Sequence, residues 1–417
     1  MLHWKALGAA LLFVPSILAA ASHASAQPKP FKINLSTQFK RLKRQVADAR
    51  LPDAELYPGN GQKKGVPLES LRAWKQQWVT GYDWDKEQEK LNAFDHFTVD
   101  IEGLNIHFIH QKSKSKDAVP IILLHGWGGS FQQFVPMITP LTQQNGSEST
   151  GVAFDVVVPS LPGFLFSSAP KTQNWTIIDT ARVLNTLMTE VLGYSKYAIH
   201  GTDWGALMGY GMYTTLNPSG TILGASFDFL PFLPPSRADI QSKNITLSPP
   251  QQITLQRFEE WSTIGSDYSR LAGNKPNDLG YTLYDNPVGQ LAFIGGKYLA
   301  WSQAPPSPLY TPNNSTILTA VSLYALTDSV VSTNWIYAAN PGPFAPQFVF
   351  PGPGTVEDAP PMVFSSFTYS FALWPEDYVK KIGNVVAYRV HGNGGHFAGL
   401  DNPDDLVEDI RLLASFF

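Results

Sequence analysis

The sequence predicts an α/β fold: a mostly parallel sheet flanked by helices, with an inserted helical cap and an N-terminal meander. Three observations predict it. Apolar runs that end in small residues recur, as in "VPIILLHGWGGSF" (119–131), and helix-like stretches separate them. A run apolar at every position suits a strand buried on both faces, the usual condition of a parallel sheet. "YAIHGTDWGALMGY" (197–210) sets an apolar strand, a Gly-flanked turn and a helix in immediate succession. Between 233 and 353 the alternation stops, and helical stretches separated by Pro, Asn and Gly loops take over.

In chain order, residues 1–26 read as a cleaved secretory signal. Lys5 precedes an apolar run over 6–21, and Ala24-Ser25-Ala26 gives an A-x-A pattern before Gln27. The run falls short of the roughly 18–20 residues a spanning helix needs, and Pro15 interrupts it, so a retained anchor is the second choice. Residues 27–115 form an extension: amphipathic 39–49, a helix over 68–78 with Trp74 and Trp78 on one face, and alternating strands at 97–101 and 104–110. Glu102-Gly103 between those strands signals a hairpin. The first part of the core spans 116–232, with strand runs at 119–131 (ending in its glycines), 154–159, 197–200 and 222–232. Helices over 249–262, 291–301 and 317–337 build the cap (233–353), and the core resumes over 354–417 with strands at 362–367 and 385–390. A terminal helix starts near Pro403, with Asn402 as its N-cap.

Of the 417 residues, 43% are hydrophobic and only 15% charged, with a net charge of −4. No basic run marks a nucleic-acid footprint. The 11 tryptophans and 33 prolines favour an apolar ligand over a phosphorylated one. Cysteine is absent, so stability must come from core burial. Sequons at Asn34, Asn145, Asn174, Asn244, Asn313 and Asn314 fit a secreted glycoprotein. The nine histidines show no H-E-x-x-H spacing, so neither metal nor cofactor is expected.

The strand–turn–helix at 197–210 has the outline of a nucleophile elbow, yet its central residue is Asp203 and not serine. A carboxylate with an ordinary pKa of ~3.9 is already charged at neutral pH and needs no base to attack. It can displace a leaving group at an sp3 carbon and leave an alkyl ester on the enzyme. A base is needed later, to activate the water that hydrolyses the ester. The competing reading is an aspartate of an Asx-turn. The amides of Trp204, after the nucleophile, and Trp127, in "HGWGG" after an early strand, would form the oxyanion hole. His396, on the glycine-rich loop of "RVHGNGGHFAGLDNP", is the candidate base, ahead of His391.

The motifs H-G-W-x-G-S, H-G-x-D-W-G and G-G-H-F-A resemble those of the microsomal-type epoxide hydrolases, above all the fungal ones, in the α/β-hydrolase superfamily. "GVPLESLRAWKQQW" and "LNAFDHFTVDIEGLNIHFIH" resemble that family's N-terminal extension, and the likeness runs from about Phe31 to the C-terminus. The resemblance implies hydrolysis of an epoxide to a vicinal diol, with an apolar epoxide and water as partners. It also implies two cap tyrosines that donate to the epoxide oxygen. "YSRLAGNKPNDLGYTLYDNPVG" assigns the first to Tyr268, and "SLYALTDSVVSTNWIYAAN" the second to Tyr337. No stable membrane insertion after signal cleavage is expected, and a homodimer is left open.

Two positions depart from the family pattern. Gly128 stands where proline is usual, which would loosen the oxyanion turn. Ser370, in "MVFSSFTYSFALWPEDYV", stands where the family has the glutamate that orients the histidine. Asp228, at the end of the strand after the elbow helix, is the first candidate to replace it. Glu376 and Asp377 compete, and an absent acid is the remaining reading. A haloalkane dehalogenase shares the aspartate elbow but has no use for the two tyrosines. A non-catalytic binder of an apolar metabolite would explain Ser370, but not the retained Asp203, His396, Tyr268 and Tyr337.

Overall fold

The apolar runs become the centre of a single sheet. The computed structural model describes residues 27–143, 151–216, 220–303 and 306–417; the signal segment 1–26 and the sequon at Asn145 lie outside the described residues. The strands are β1 (Lys29–Phe31), β2 (His96–Ile101), β3 (Leu104–Gln111), β4 (Val119–Leu124), β5 (Phe154–Pro159), β6 (Tyr197–Gly201), β7 (Ile222–Phe227), β8 (Pro361–Tyr369) and β9 (Asn384–Gly395). Their order is β1-β2-β3-β5-β4-β6-β7-β8-β9. Pairing is antiparallel from β1 through β3 to β5 and parallel from β5 to β9. Glu102 and Gly103 both take positive φ (52° and 77°), as a tight hairpin turn with the strand's own twist requires. In β4 and β6 the last four or five residues are all buried, which is why they show no alternation.

The cap enters between β7 and β8. Its helices include Pro249–Glu260, Asp267–Asn274, Gly296–Ala300 and Asn314–Leu326. The stretch expected as one helix over 317–337 is broken: Asp328 takes φ 55°, and two short helices, Val330–Thr333 and Trp335–Ala339, follow. The terminal helix spans Pro403–Ala414, but Asn402 does not cap it with its side chain. Its amide nitrogen instead donates to the Asp405 carboxylate at 2.6 Å.

The N-terminal extension is fastened to the cap. Trp74 Nε1 donates to Asn314 Oδ1 (2.9 Å), Trp78 Nε1 to Ser322 Oγ (3.0 Å), and Tyr82 Oη bonds Thr319 Oγ1 (2.9 Å). These bonds hold the helix Asn314–Leu326, in which Ile317, Leu318, Thr319, Ala320, Val321, Ser322, Leu323 and Tyr324 are all buried. Among the described residues no single helix is long and apolar enough to cross a membrane.

Candidate active site

Asp203 sits at the first turn after β6 with φ 48°, a left-handed conformation that non-glycine residues rarely hold. Close packing enforces it. A Cβ at Gly126 would overlap the Asp203 carboxylate, and one at Gly205 would overlap the Leu124 carbonyl. Both positions must therefore be glycine. One carboxylate oxygen, Oδ1, accepts the Trp127 amide at 2.8 Å, and the Trp204 amide also bonds the carboxylate. The other, Oδ2, faces His396 Nε2 at 3.7 Å, beyond a direct hydrogen bond. Burial raises Asp203 to about 6, while the two amides pull it down.

The oxyanion turn is pinned from above. Tyr298 Oη donates to the Gly128 carbonyl (2.9 Å) and Tyr324 Oη to the Gly129 carbonyl (2.8 Å). The turn that Gly128 was expected to loosen is thus held by two cap tyrosines. Below it, His125 donates from Nδ1 to its neighbour's carbonyl and accepts the Leu161 amide at Nε2 (3.2 Å).

Tyr268 and Tyr337 meet over the nucleophile, with Tyr337 Oη donating to Tyr268 Oη at 3.4 Å. Burial first, then the Asp203 charge, raises Tyr268; the same two causes act on Tyr337, with Tyr268 between them in size. Both phenols therefore stay protonated and able to donate. Trp127 stacks on Tyr268 at 4.8 Å, and Trp204 stands edge-on to Tyr337 at 5.0 Å.

His396 occupies an aromatic cage of Phe371, Phe229, Trp301 and Phe397, with ring centroids 4.4–5.8 Å away. Burial there lowers it to about 3, so the ring is neutral at working pH. Its backbone amide donates to the Trp301 carbonyl (2.8 Å). Asp401 braces the loop, accepting the Gly395 amide (3.0 Å) and the Ser302 hydroxyl (3.1 Å).

Proteins of known sequence and structure resemble this chain over most of its length. Residues 28–134 match the family model described as epoxide hydrolase N terminus, and 119–215 match that of the alpha/beta hydrolase fold. A juvenile hormone epoxide hydrolase of Bombyx mori is 30% identical over 92% of this chain and 85% of its own. An epoxide hydrolase 1 of Oryctolagus cuniculus is 30% identical over 92% and 87%. The chain belongs to the epoxide hydrolase family. The solved structure of Aspergillus niger epoxide hydrolase superposes with a TM-score of 0.79 at 30% identity, covering 94% of this chain and 97% of that one. Like its relatives, the chain is a hydrolase with the α/β-hydrolase fold.

Against the family pattern, the histidine-orienting acid is not where the sequence led us to expect it. Asp228 makes no ion pair with His396; its Oδ1 is buried without a hydrogen-bond partner, and the charge it senses is that of Asp203. β7 is parallel to β6, β8 and β9, so all four strands end at the same edge, but it is the next side chain, Phe229, that faces His396 (5.8 Å between ring centroids), while the Asp228 carboxylate lies toward Asp203. Burial, with Asp203 adding, raises Asp228 to about 8. Glu376 and Asp377 are exposed, and Glu376 pairs with Lys380 at 2.7 Å. Ser370 lies buried at the end of β8, next to Phe371, whose ring touches His396.

Tyr298, Tyr324, Asp401 and Lys297 had no motif to mark them. Only the spacing of Phe293, Lys297 and Trp301, four residues apart on one helical face, was there to be read.

Proposed function

We propose that the protein opens an apolar epoxide in two steps. Asp203 Oδ2 forms a bond to an epoxide carbon as the carbon–oxygen bond breaks, and the oxygen takes a proton from Tyr268 or Tyr337. His396 then removes a proton from water, whose oxygen attacks the ester carbonyl. The amides of Trp127 and Trp204 hold the resulting oxyanion until the diol leaves. The observation that carries this reading is the division of labour at one carboxylate: Oδ1 accepts the Trp127 amide at 2.8 Å, and Oδ2 faces His396 Nε2 at 3.7 Å. The two phenols supply what a leaving alkoxide needs and a leaving halide does not.

A single turnover in 18O-labelled water tests it. The new oxygen of the first diol is expected to be unlabelled, because it comes from Asp203. Full label in that first product would mean that water attacks the epoxide directly.

We also infer secretion, on the pattern of residues 1–26 and on Asn34, Asn174, Asn244, Asn313 and Asn314, all exposed. Expression in a fungal host is expected to release chain beginning near Gln27, its mass reduced by an endoglycosidase. Chain retained in the membrane fraction with its leader would overturn this.

A further inference from the structure

Lys297 stands apart from the other cations near the site. It makes no ion pair among the described residues, and its Nζ lies over three rings: Tyr268 at 4.4 Å, Trp301 at 5.5 Å and Phe293 at 5.6 Å. Tyr268 is thus enclosed on two faces, with the Trp127 ring stacked at 4.8 Å on one and the ammonium over the other. The helix Gly296–Ala300 that carries Lys297 is fixed at its neighbour, where Tyr298 bonds the Gly128 carbonyl at 2.9 Å. Its far end is tied as well, by Arg257 donating to the Ala300 carbonyl at 2.6 Å.

We infer that Lys297 is the electrostatic partner of Tyr268, a cation over the phenol face that makes it the stronger proton donor to the opening epoxide. The inference rests on the proposed alkylation chemistry and deepens it. A phenol that hands its proton to an alkoxide becomes a phenolate, and burial beside Asp203 opposes that charge. An ammonium over the ring favours it more and more as the proton leaves, because its attraction to the ring grows with the ring's negative charge. When the epoxide carbon–oxygen bond breaks and the proton moves from Tyr268 Oη to the oxygen, the phenolate left behind is balanced by Lys297. Solvent restores the phenol proton before the next turnover. Lys297 acts through Tyr268 and touches no reacting atom.

Burial lowers Lys297 to about 8, so the cation is present at neutral pH and lost just above it. The other ionisable groups facing this helix do not titrate there in the same sense. Tyr268 is held well above its ordinary value, Asp203 near 6, and Arg257, though lowered, keeps a guanidinium. Asp401, beyond Ser302, is raised by burial and braces the histidine loop. Asp267 and Arg270, on the helix of Tyr268, face each other at 3.7 Å on its solvent side.

The experiment is the pH profile of the alkylation half-reaction in the full-length enzyme. Asp203 ester is trapped by rapid quench with a styrene-type epoxide and counted by mass. In the wild type the rate is expected to rise to about pH 6 and fall above about pH 8. Lys297→Met is expected to slow alkylation about tenfold at pH 7, to lose the alkaline fall, and to leave ester hydrolysis unchanged. Lys297→Arg is expected to keep near wild-type rates with no fall up to pH 9.5. Wild-type alkylation rates in Lys297→Met, or an alkaline fall that persists in Lys297→Arg, would overturn the inference while leaving the aspartate mechanism intact. If Lys297→Met does not fold, the arginine profile decides alone. A wild type that forms no Asp203 ester would overturn the mechanism beneath, and the inference with it.

Discussion

Asp203 and Asp228 are both buried aspartates, but Asp203 accepts the amides of Trp127 and Trp204, whereas the amide that bonds Asp228 is its own, and that difference sets the proposed nucleophile apart. Two amides hold Asp203 near 6, whereas Asp228, with Oδ1 unpartnered, rises to about 8 and is a neutral acid at pH 7. A neutral acid beside the nucleophile cannot stabilise an imidazolium at His396. Among the described residues the carboxylate that pairs with His396 is that of Asp203, so in the proposed mechanism, where Asp203 is esterified, the base works in an apolar cage without a carboxylate partner and hydrolysis of the ester is the step expected to slow. Placing the carboxylate back on the end of β8 is expected to relieve it. Ser370→Glu should speed decay of the alkyl-enzyme about tenfold or more, since losing such a group in serine proteases costs about 10⁴. Ser370→Gln should not. Decay at the wild-type rate in Ser370→Glu would show that the missing charge does not limit hydrolysis. The elbow was legible because its glycines, its aspartate and its strand are adjacent in the chain. The orienting acid was not, because its place depends on how the ends of β7, β8 and β9 meet in space.

At the scale of elements, the cap does more than cover the nucleophile. The extension's Trp78 and Tyr82 fasten the helix Asn314–Leu326, that helix presents Tyr324, and Tyr324 bonds the Gly129 carbonyl. Tyr298 repeats the device at Gly128 from a second helix. The oxyanion turn is thereby set by three layers of the chain. Replacing both phenols, Tyr298→Phe with Tyr324→Phe, leaves two buried carbonyls unpaired beside the amide of Trp127. Ester hydrolysis is expected to slow about tenfold, less than the 10²–10³ that deletion of an oxyanion donor costs, because the donor is displaced and not removed. Alkylation should change less, since no tetrahedral oxyanion forms in it. Equal slowing of both steps, followed by quench and mass detection, would assign the tyrosines to cap closure alone. Most strands and the paired tryptophans of the extension could be read from burial patterns in the sequence. The helix Trp84–Leu91 could not: "WDKEQEKL" is too polar to show a face, and its start is fixed by the Asp83 side chain capping Lys86. Nor could the break at Asp328, where a local left-handed residue overrides an apolar pattern that runs on past it.

Across the whole molecule, burial sets two groups of titrating residues against each other. His96, His107, His110, His125, His200 and His396 are all lowered by burial. A lowered histidine binds fewer protons in the folded state than in the unfolded one, so stability is full above the ordinary value of about 6.5 and falls as pH drops below it. Asp203, Asp228 and Asp401 are raised by burial, and their sign is opposite: the folded state holds the proton longer, so stability falls as pH rises above about 4. Each group acts with a slope of about 1.4 kcal/mol per pH unit inside its own window. Below pH 6.5 the six histidines outweigh the three carboxylates. Above it the histidines are silent, Asp203 has ionised, and Asp228 sets the slope. Stability is therefore expected to peak near pH 6.5 and to decline toward pH 8. Asp228→Asn keeps the shape of the neutral acid and removes its titration. It should raise the urea midpoint at pH 7.5 more than at pH 5, and flatten the decline between 6.5 and 8. It should leave the decay of the alkyl-enzyme nearly unchanged, because Asp228 does not serve His396. An equal gain at both pH values would mean that Asp228 is already ionised in the fold. A trapped alkyl-enzyme in the same variant would return Asp228 to the relay that the geometry denies it.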